Sequence, residues 1–242
     1  MRPDVLDIRD FYETRQGCIT ARLISEKISQ LMPNVAGQRI LGFGYTLPYL
    51  EAFGDEAELT FSLMHEAQGA VPWPRNEKSR VTLCRGSQLP LPDQSVDYVI
   101  LVHAVEFMNQ SQTLLREVWR VLAGEGRVIC VVPNRNGLWA RHEQTPFSTG
   151  HPYSRRQIES TLKQNMFMPL SCKKALFMPP TRSRGMLKTA TAWEHISERW
   201  FNQLPGVYIC EASKKIYSGL GPTPVNRRRH AKPIPTTNFR SE

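Results

Sequence analysis

The chain has 242 residues, of which 40% are hydrophobic and 22% charged, enough for one substantial core and too apolar for wholesale disorder. Its 31 basic residues against 22 acidic ones give a formal charge of +9, a field that could attract anionic partners, but the excess concentrates at the carboxyl end. No apolar run approaches the ~20 residues needed to span a bilayer, and the acidic, interrupted first fifteen residues do not read as a secretory signal.

The five cysteines, Cys18, Cys84, Cys130, Cys172 and Cys210, are scattered without a CxxC pair. That spacing predicts no disulfide framework and a reducing, cytoplasmic setting. No histidine joins them at zinc spacing, so no metal site is expected.

The first thirty residues read as helix, with Val5, Ile8, Phe11, Tyr12, Ile19, Leu23, Ile24 and Ile28 recurring at three- and four-residue steps and Pro33 ending the run. A short strand from Gln38 breaks at Gly42-Phe-Gly, and a helix-compatible segment follows from Pro48. Ala57–Met64 and Arg80–Cys84 are further strand candidates. Ser95–His103 is nearly apolar and rich in β-branched residues, as suits a strand buried on both faces of a parallel sheet. Glu106–Leu122 reads as an amphipathic helix, turned by Gly124-Glu-Gly into a strand from Arg127 to Pro133. After a loop from Asn134 to Tyr153 come a helix over Arg155–Asn165, strands over Leu170–Phe177 and Val207–Ile216, and a helical stretch over Thr189–Leu204.

This alternation predicts an α/β sandwich with a mainly parallel central sheet and helices on both faces. The expected organisation is a helical extension (1–37), an α/β domain (38–220) and a flexible, basic, proline-rich tail (221–242). The tail sets Arg227, Arg228, Arg229, Lys232 and Arg240 against Glu242 alone, a pattern more typical of a solvated extension than of a nucleic-acid contact.

Two segments carry a resemblance. Leu89-Pro-Leu-Pro-Asp-Gln-Ser-Val-Asp-Tyr-Val-Ile-Leu-Val-His-Ala-Val-Glu is similar to the LPFPDxSFDxVxxxxxLEH signature of class I S-adenosylmethionine-dependent methyltransferases. Leu115-Arg-Glu-Val-Trp-Arg-Val-Leu-Ala-Gly-Glu-Gly-Arg-Val resembles their LREIxRVLKPGGRL segment, in the right order and at the right spacing. The small type 11 domain proteins are the subgroup it resembles most. The resemblance implies a Rossmann-like fold with the ligand outside the carboxyl ends of the strands, near the switch in strand order. It implies S-adenosylmethionine as cofactor and places Gly42, Phe43, Gly44, Tyr45 and Thr46 in the first cofactor loop. It also places Met64 and Glu66 after the second strand, Arg85, Gly86 and Ser87 after the third, and His103 at the end of the fourth.

The chain departs from that pattern at four places. Thr46 replaces the third glycine, Ile40 stands where an acidic residue usually precedes the first, Met64 falls at the ribose-gripping carboxylate, and Arg85 at the adenine-reading one. Glu66 could take the ribose role if the loop shifts. Each lost charged acceptor is worth ~1.5–3 kcal/mol in a protected site. A valine at Gly44 is expected to crowd the loop and abolish cofactor binding with the fold intact.

His103 reads either as a substrate-facing base or as a polar residue closing a strand end. Glu106 reads as a helix N-terminal residue favoured by the macrodipole, Asp97 as strand-edge turn chemistry, and Asn134, Arg135 and Asn136 as loop-satisfying or acceptor-facing groups. Trp73 could stack on adenine or pack in the core, and His142, Thr145, Phe147 and His151 belong to a candidate lid loop. Two functions remain: methyl transfer to a small-molecule acceptor, or a methyltransferase-like protein with impaired cofactor binding that acts through a protein partner. RNA modification assisted by the tail is a weaker third.

Overall fold

The computed structural model describes residues 3–107, 111–181, 183–189 and 205–215. The helical stretch expected over Thr189–Leu204 and the tail from 221 lie outside the described residues, the former but for Thr189. Seven strands form one sheet: β1 (Arg39–Gly44), β2 (Leu59–His65), β3 (Val81–Cys84), β4 (Val96–Val102), β5 (Leu122–Pro133), β6 (Phe167–Ala175) and β7 (Val207–Lys214). Their order is β3-β2-β1-β4-β5-β7-β6. The first five run parallel, and β7 lies antiparallel between β5 and β6. The expected α/β sandwich is therefore what the chain forms.

The strands alternate between two cores because successive side chains point to opposite faces. Ile40, Ile100, Val102, Ile129, Val131 and Ile209 face α1 (Val5–Glu13), α2 (Arg15–Ser29) and α3 (Leu47–Leu50). Leu41, Phe43, Val99, Leu101, Val128 and Val132 face α4 (Ser111–Val121) and α5 (Arg155–Gln164). Val99, Ile100, Leu101 and Val102 have no exposed surface, as a central parallel strand requires. A short helix α6 (Arg184–Lys188) contacts α2.

The amino-terminal helix is two helices. Thr14 adopts an extended backbone, donates its hydroxyl to the Phe11 carbonyl and accepts from the Gly17 N–H, so it ends α1 and caps α2. The expected helix over Glu106–Leu122 begins later, at Ser111, after a 3-10 turn over Val105–Phe107, and passes directly into β5 without the expected glycine turn. β6 starts at Phe167, upstream of the expected Leu170. It is an edge strand, and a register irregularity between Pro169 and Ser171 accommodates the proline that would interrupt an inner strand.

Two further expectations are corrected. Cys172 and Cys210 form a disulfide across β6 and β7. The antiparallel register sets them face to face although they are 38 residues apart, which no linear spacing reveals. Asp97 is a clamp between strands: it accepts the Arg39 backbone N–H (2.9 Å) and both Nε and Nη2 of its guanidinium (3.0 Å each). Those bonds hold its carboxyl below the usual aspartate range.

The two diagnostic segments bind each other. Arg120 donates Nη2 to the Leu89 carbonyl (3.0 Å) and Nη1 to the Leu91 carbonyl (2.9 Å) and to Asp93 (2.6 Å). Glu117 accepts from Arg120 Nε and Nη2 and from the Leu89 N–H, and this fork of bonds lowers its carboxyl pKa. The motif thus anchors the loop leading into β4 against α4. Arg120→Ala is expected to cost about 2 kcal/mol at neutral pH in urea unfolding. Because the native Glu117 carboxyl is depressed, its contribution is complete above the ordinary glutamate value of about 4.3. The gap between wild type and variant should narrow as pH falls below that value.

Candidate functional site

Parallel pairing of β1 with β4 puts Gly44 opposite Val102, at the carboxyl end of the sheet beside the switch in strand order. The chain turns there in a left-handed conformation, with Gly44 at φ +88°. A Cβ on Gly44 would lie 2.2 Å from the Val102 carbonyl oxygen, and the Tyr45 N–H donates to that same oxygen at 3.0 Å. The first turn and the fourth strand are therefore in backbone contact.

The other glycine serves the protein as well. A Cβ on Gly42 would fall 2.0 Å from Thr46 Oγ1, so the threonine at the third glycine position fills the space the first one leaves. Thr46 is fully buried and shares a hydrogen bond with Ser62 of β2 (3.1 Å).

Over this junction lies α1. The Tyr12 ring stacks on Tyr45 at a centroid separation of 5.3 Å, with an interplanar angle of 11°. Its hydroxyl is 2.7 Å from the Tyr49 hydroxyl and 2.9 Å from His103 Nε2. Phe147 of the 134–153 loop packs on His103 at 4.8 Å and meets Phe11 edge-on, closing the cluster from the other side. Burial raises the phenol pKa values of Tyr12 and Tyr49 and pushes Tyr45 up to about 12, so all three hydroxyls are neutral donors at physiological pH.

His103 stands just past β4 at φ +51°, an uncommon conformation for a side chain of its size. Its side chain is 0% exposed, and Glu106 beside it is 1% exposed. Glu106 Oε2 accepts the Ala104 N–H (3.1 Å), while Oε1 lies 3.5 Å from His103 Nδ1. Neither of those two facing atoms makes a hydrogen bond, to the other or to any further group. Glu106 thus lies buried beside His103 in the 3-10 turn ahead of α4, and is not the helix N-terminal residue that its sequence position suggests.

The structure brings Gly42, Gly44, Tyr45, Thr46 and His103 together. Phe43 points to the opposite face and packs among the residues under α4 and α5. Met64 is 1% exposed and belongs to the core beneath α1–α3. Glu66 and Arg85, at adjoining strand ends, are exposed and paired with each other (Nε to Oε1, 2.9 Å). Gly86 is buried in the following turn and Ser87 is exposed. Asn134 satisfies loop backbone, donating to the Pro205 carbonyl and accepting the Asn136 N–H. Trp73 packs against the core as a partly buried side chain.

Tyr12 and Tyr49 are the residues of this cluster that sequence reasoning passed over as ordinary helix positions, whereas Phe147 belongs to the loop it named as a candidate lid. Tyr12 sits in an apolar stripe indistinguishable from ordinary helix packing. Among the described residues no cluster of histidine, cysteine and carboxylate groups could hold a metal.

Residues 41–130 match the family model described as a methyltransferase domain. Over 63 residues the chain is 38% identical to a protein of Mycobacterium tuberculosis named as a probable S-adenosylmethionine-dependent methyltransferase. That stretch is 26% of this chain and 22% of the relative, so the chain matches only a small part of its curated relatives' length. The fold resembles a Thermotoga maritima S-adenosylmethionine-dependent methyltransferase, a possible histamine N-methyltransferase (15% identity, TM-score 0.59, covering 87% of this chain and 96% of that one). It also resembles a chain from a complex of the Trm112 methyltransferase activator with a methyltransferase candidate of Haloferax volcanii (16%, 0.57, 89% and 100%). A third likeness is to the Burkholderia thailandensis 1,6-didemethyltoxoflavin-N1-methyltransferase (12%, 0.55, 87% and 85%), solved with 1,6-didemethyltoxoflavin and S-adenosylhomocysteine. Residues 41–130 are thus similar to a methyltransferase domain, within a fold that resembles those of S-adenosylmethionine-dependent methyltransferases.

On this geometry the expectation that a side chain at Gly44 spares the fold does not hold, since it would strike β4 backbone. Gly44→Ala should cost about 2 kcal/mol or more in urea unfolding. Gly42→Ala should also destabilise. Adding Thr46→Gly should recover part of that loss, with a coupling of about 1 kcal/mol in the double-mutant cycle.

Proposed function

We propose that the chain is an S-adenosylmethionine-dependent methyltransferase acting on a small-molecule acceptor in a cytoplasmic setting. The observation that carries this reading is the backbone contact between the β1 turn and the end of β4 at the switch point, within the segment that matches the methyltransferase domain. Among the described residues no helix is long and apolar enough to cross a membrane.

The residues present fit the cofactor in part. The turn at Gly44 and Tyr45 and the strand end at His103 would hold its methionine portion. Glu66 would be the carboxylate offered to the ribose hydroxyls, and Arg85, Gly86 and Ser87 would border the adenine. Two features oppose immediate binding: Glu66 is already paired with Arg85, and the Tyr12 ring bridges the turn and the strand end. A bound cofactor therefore requires α1 to move.

Bound there, the cofactor supplies an electrophilic methyl group on a sulfonium. The protein's part is to exclude water and to hold the acceptor in line, which Phe147 and the aromatic side chains of the displaced α1, reseated over the ligand, are suited to do.

A second reading is favoured by the same cover: a protein in which Tyr12 permanently fills the cofactor position and which works through a protein partner. Calorimetric titration with S-adenosylmethionine and S-adenosylhomocysteine separates the two. The enzyme reading expects saturable micromolar binding, weakened about tenfold by Glu66→Ala. A folded protein giving no heat at millimolar ligand selects the partner reading.

A further inference from the structure

The buried polar chain at the end of β4 has an order that the aromatic cover conceals. Oε2 of Glu106 is fixed by the Ala104 N–H, which leaves Oε1 facing His103 Nδ1 at 3.5 Å, each the nearest polar group to an atom that makes no hydrogen bond in the structure. A carboxylate oxygen can only accept, so the imidazole tautomer that satisfies both atoms carries its proton on Nδ1. Nε2 is then a lone pair, and the Tyr12 hydroxyl at 2.9 Å is its donor. The Tyr49 hydroxyl at 2.7 Å completes the chain by donating to the Tyr12 oxygen. Phe107 and Phe147 pack beside the imidazole, and among the described residues Tyr12 and Glu106 are the polar side chains recorded against it, with Tyr49 one hydrogen bond further on.

We propose that His103, oriented by Glu106, is the proton acceptor of the methyltransferase site, that Tyr12 caps its lone pair until an acceptor takes that place, and that the acceptor class is therefore a molecule carrying a proton on the attacked atom, an alcohol, phenol or amine. The proposal rests on the methyltransferase reading above. In the reaction it describes, a bond forms between the acceptor heteroatom and the methyl carbon. The carbon–sulfur bond breaks with its electron pair left on sulfur, and the heteroatom's proton passes to Nε2 and then to solvent. A thioether or tertiary amine has no such proton and gives the base nothing to do. Glu106 acts through His103 and is a positioning residue.

The first test is the imidazole tautomer in the ligand-free full chain, read from the nitrogen-15 shifts of His103. The proposal expects Nδ1 protonated and Nε2 unprotonated in the wild type, with Glu106→Leu reversing the preference. Wild-type protein protonated at Nε2 overturns it. The second test offers labelled S-adenosylmethionine with phenol, ethanolamine and benzyl alcohol on one side, and dimethyl sulfide and trimethylamine on the other. Transfer confined to the first group, with Glu106→Gln lowering kcat at least tenfold and leaving KM within twofold, supports the proposal. Transfer to the second group, or none to either while the cofactor binds, overturns it. Loss of cofactor binding itself defeats the methyltransferase reading instead, and the tautomer measurement does not depend on it.

Discussion

The structure depends on a backbone contact at the middle of the sheet. Gly44 and Tyr45 sit against the Val102 carbonyl so closely that no Cβ fits at Gly44, and the Tyr45 N–H is spent on that oxygen. The candidate site is hung from this junction. It fixes where the β1 turn points, where His103 leaves β4 in its left-handed conformation, and which ring of α1 can reach both.

What covers the junction is the protein's own aromatic layer. Tyr12 stacks on one wall and bonds to the other, while Phe11 and Phe147 seal the side. Such a layer has two uses. It satisfies buried polar atoms that would be costly if orphaned, and it supplies a water-excluding cover once a ligand takes the place of the Tyr12 ring. The helices ahead of β1 are accordingly part of the site and part of the main core, since Val5, Ile8, Leu23 and Ile24 are buried with the sheet.

Much of the fold was legible because its signals are local or motif-borne. The apolar run at Val99–Val102 announced a doubly covered strand, and the paired segments around Leu89 and Arg120 announced the likeness to methyltransferase domains. The structure shows why those segments travel together: Arg120 and Glu117 hold the loop that delivers β4, so the motif records architecture and not chemistry. The positions opened by Thr46, Met64 and Arg85 were likewise legible as departures, and Thr46 proves to be compensated by Gly42. What stayed hidden is long-range. Tyr12 follows the same three-four periodicity as its core neighbours, the role of Glu106 depends on a turn that folds it back onto His103, and Cys172 meets Cys210 only through an antiparallel register.

The central claim is that the junction of the β1 turn with the end of β4 is a cofactor site and that α1 is its removable cover. Hydrogen exchange read by mass spectrometry, with and without saturating S-adenosylhomocysteine, tests both halves at once. The account predicts slower exchange over residues 42–46 and 102–106 together with faster exchange over 5–13, as Tyr12 gives up its place. Unchanged exchange in the two strand-end segments, or an α1 that stays as protected as before while they tighten, would contradict it.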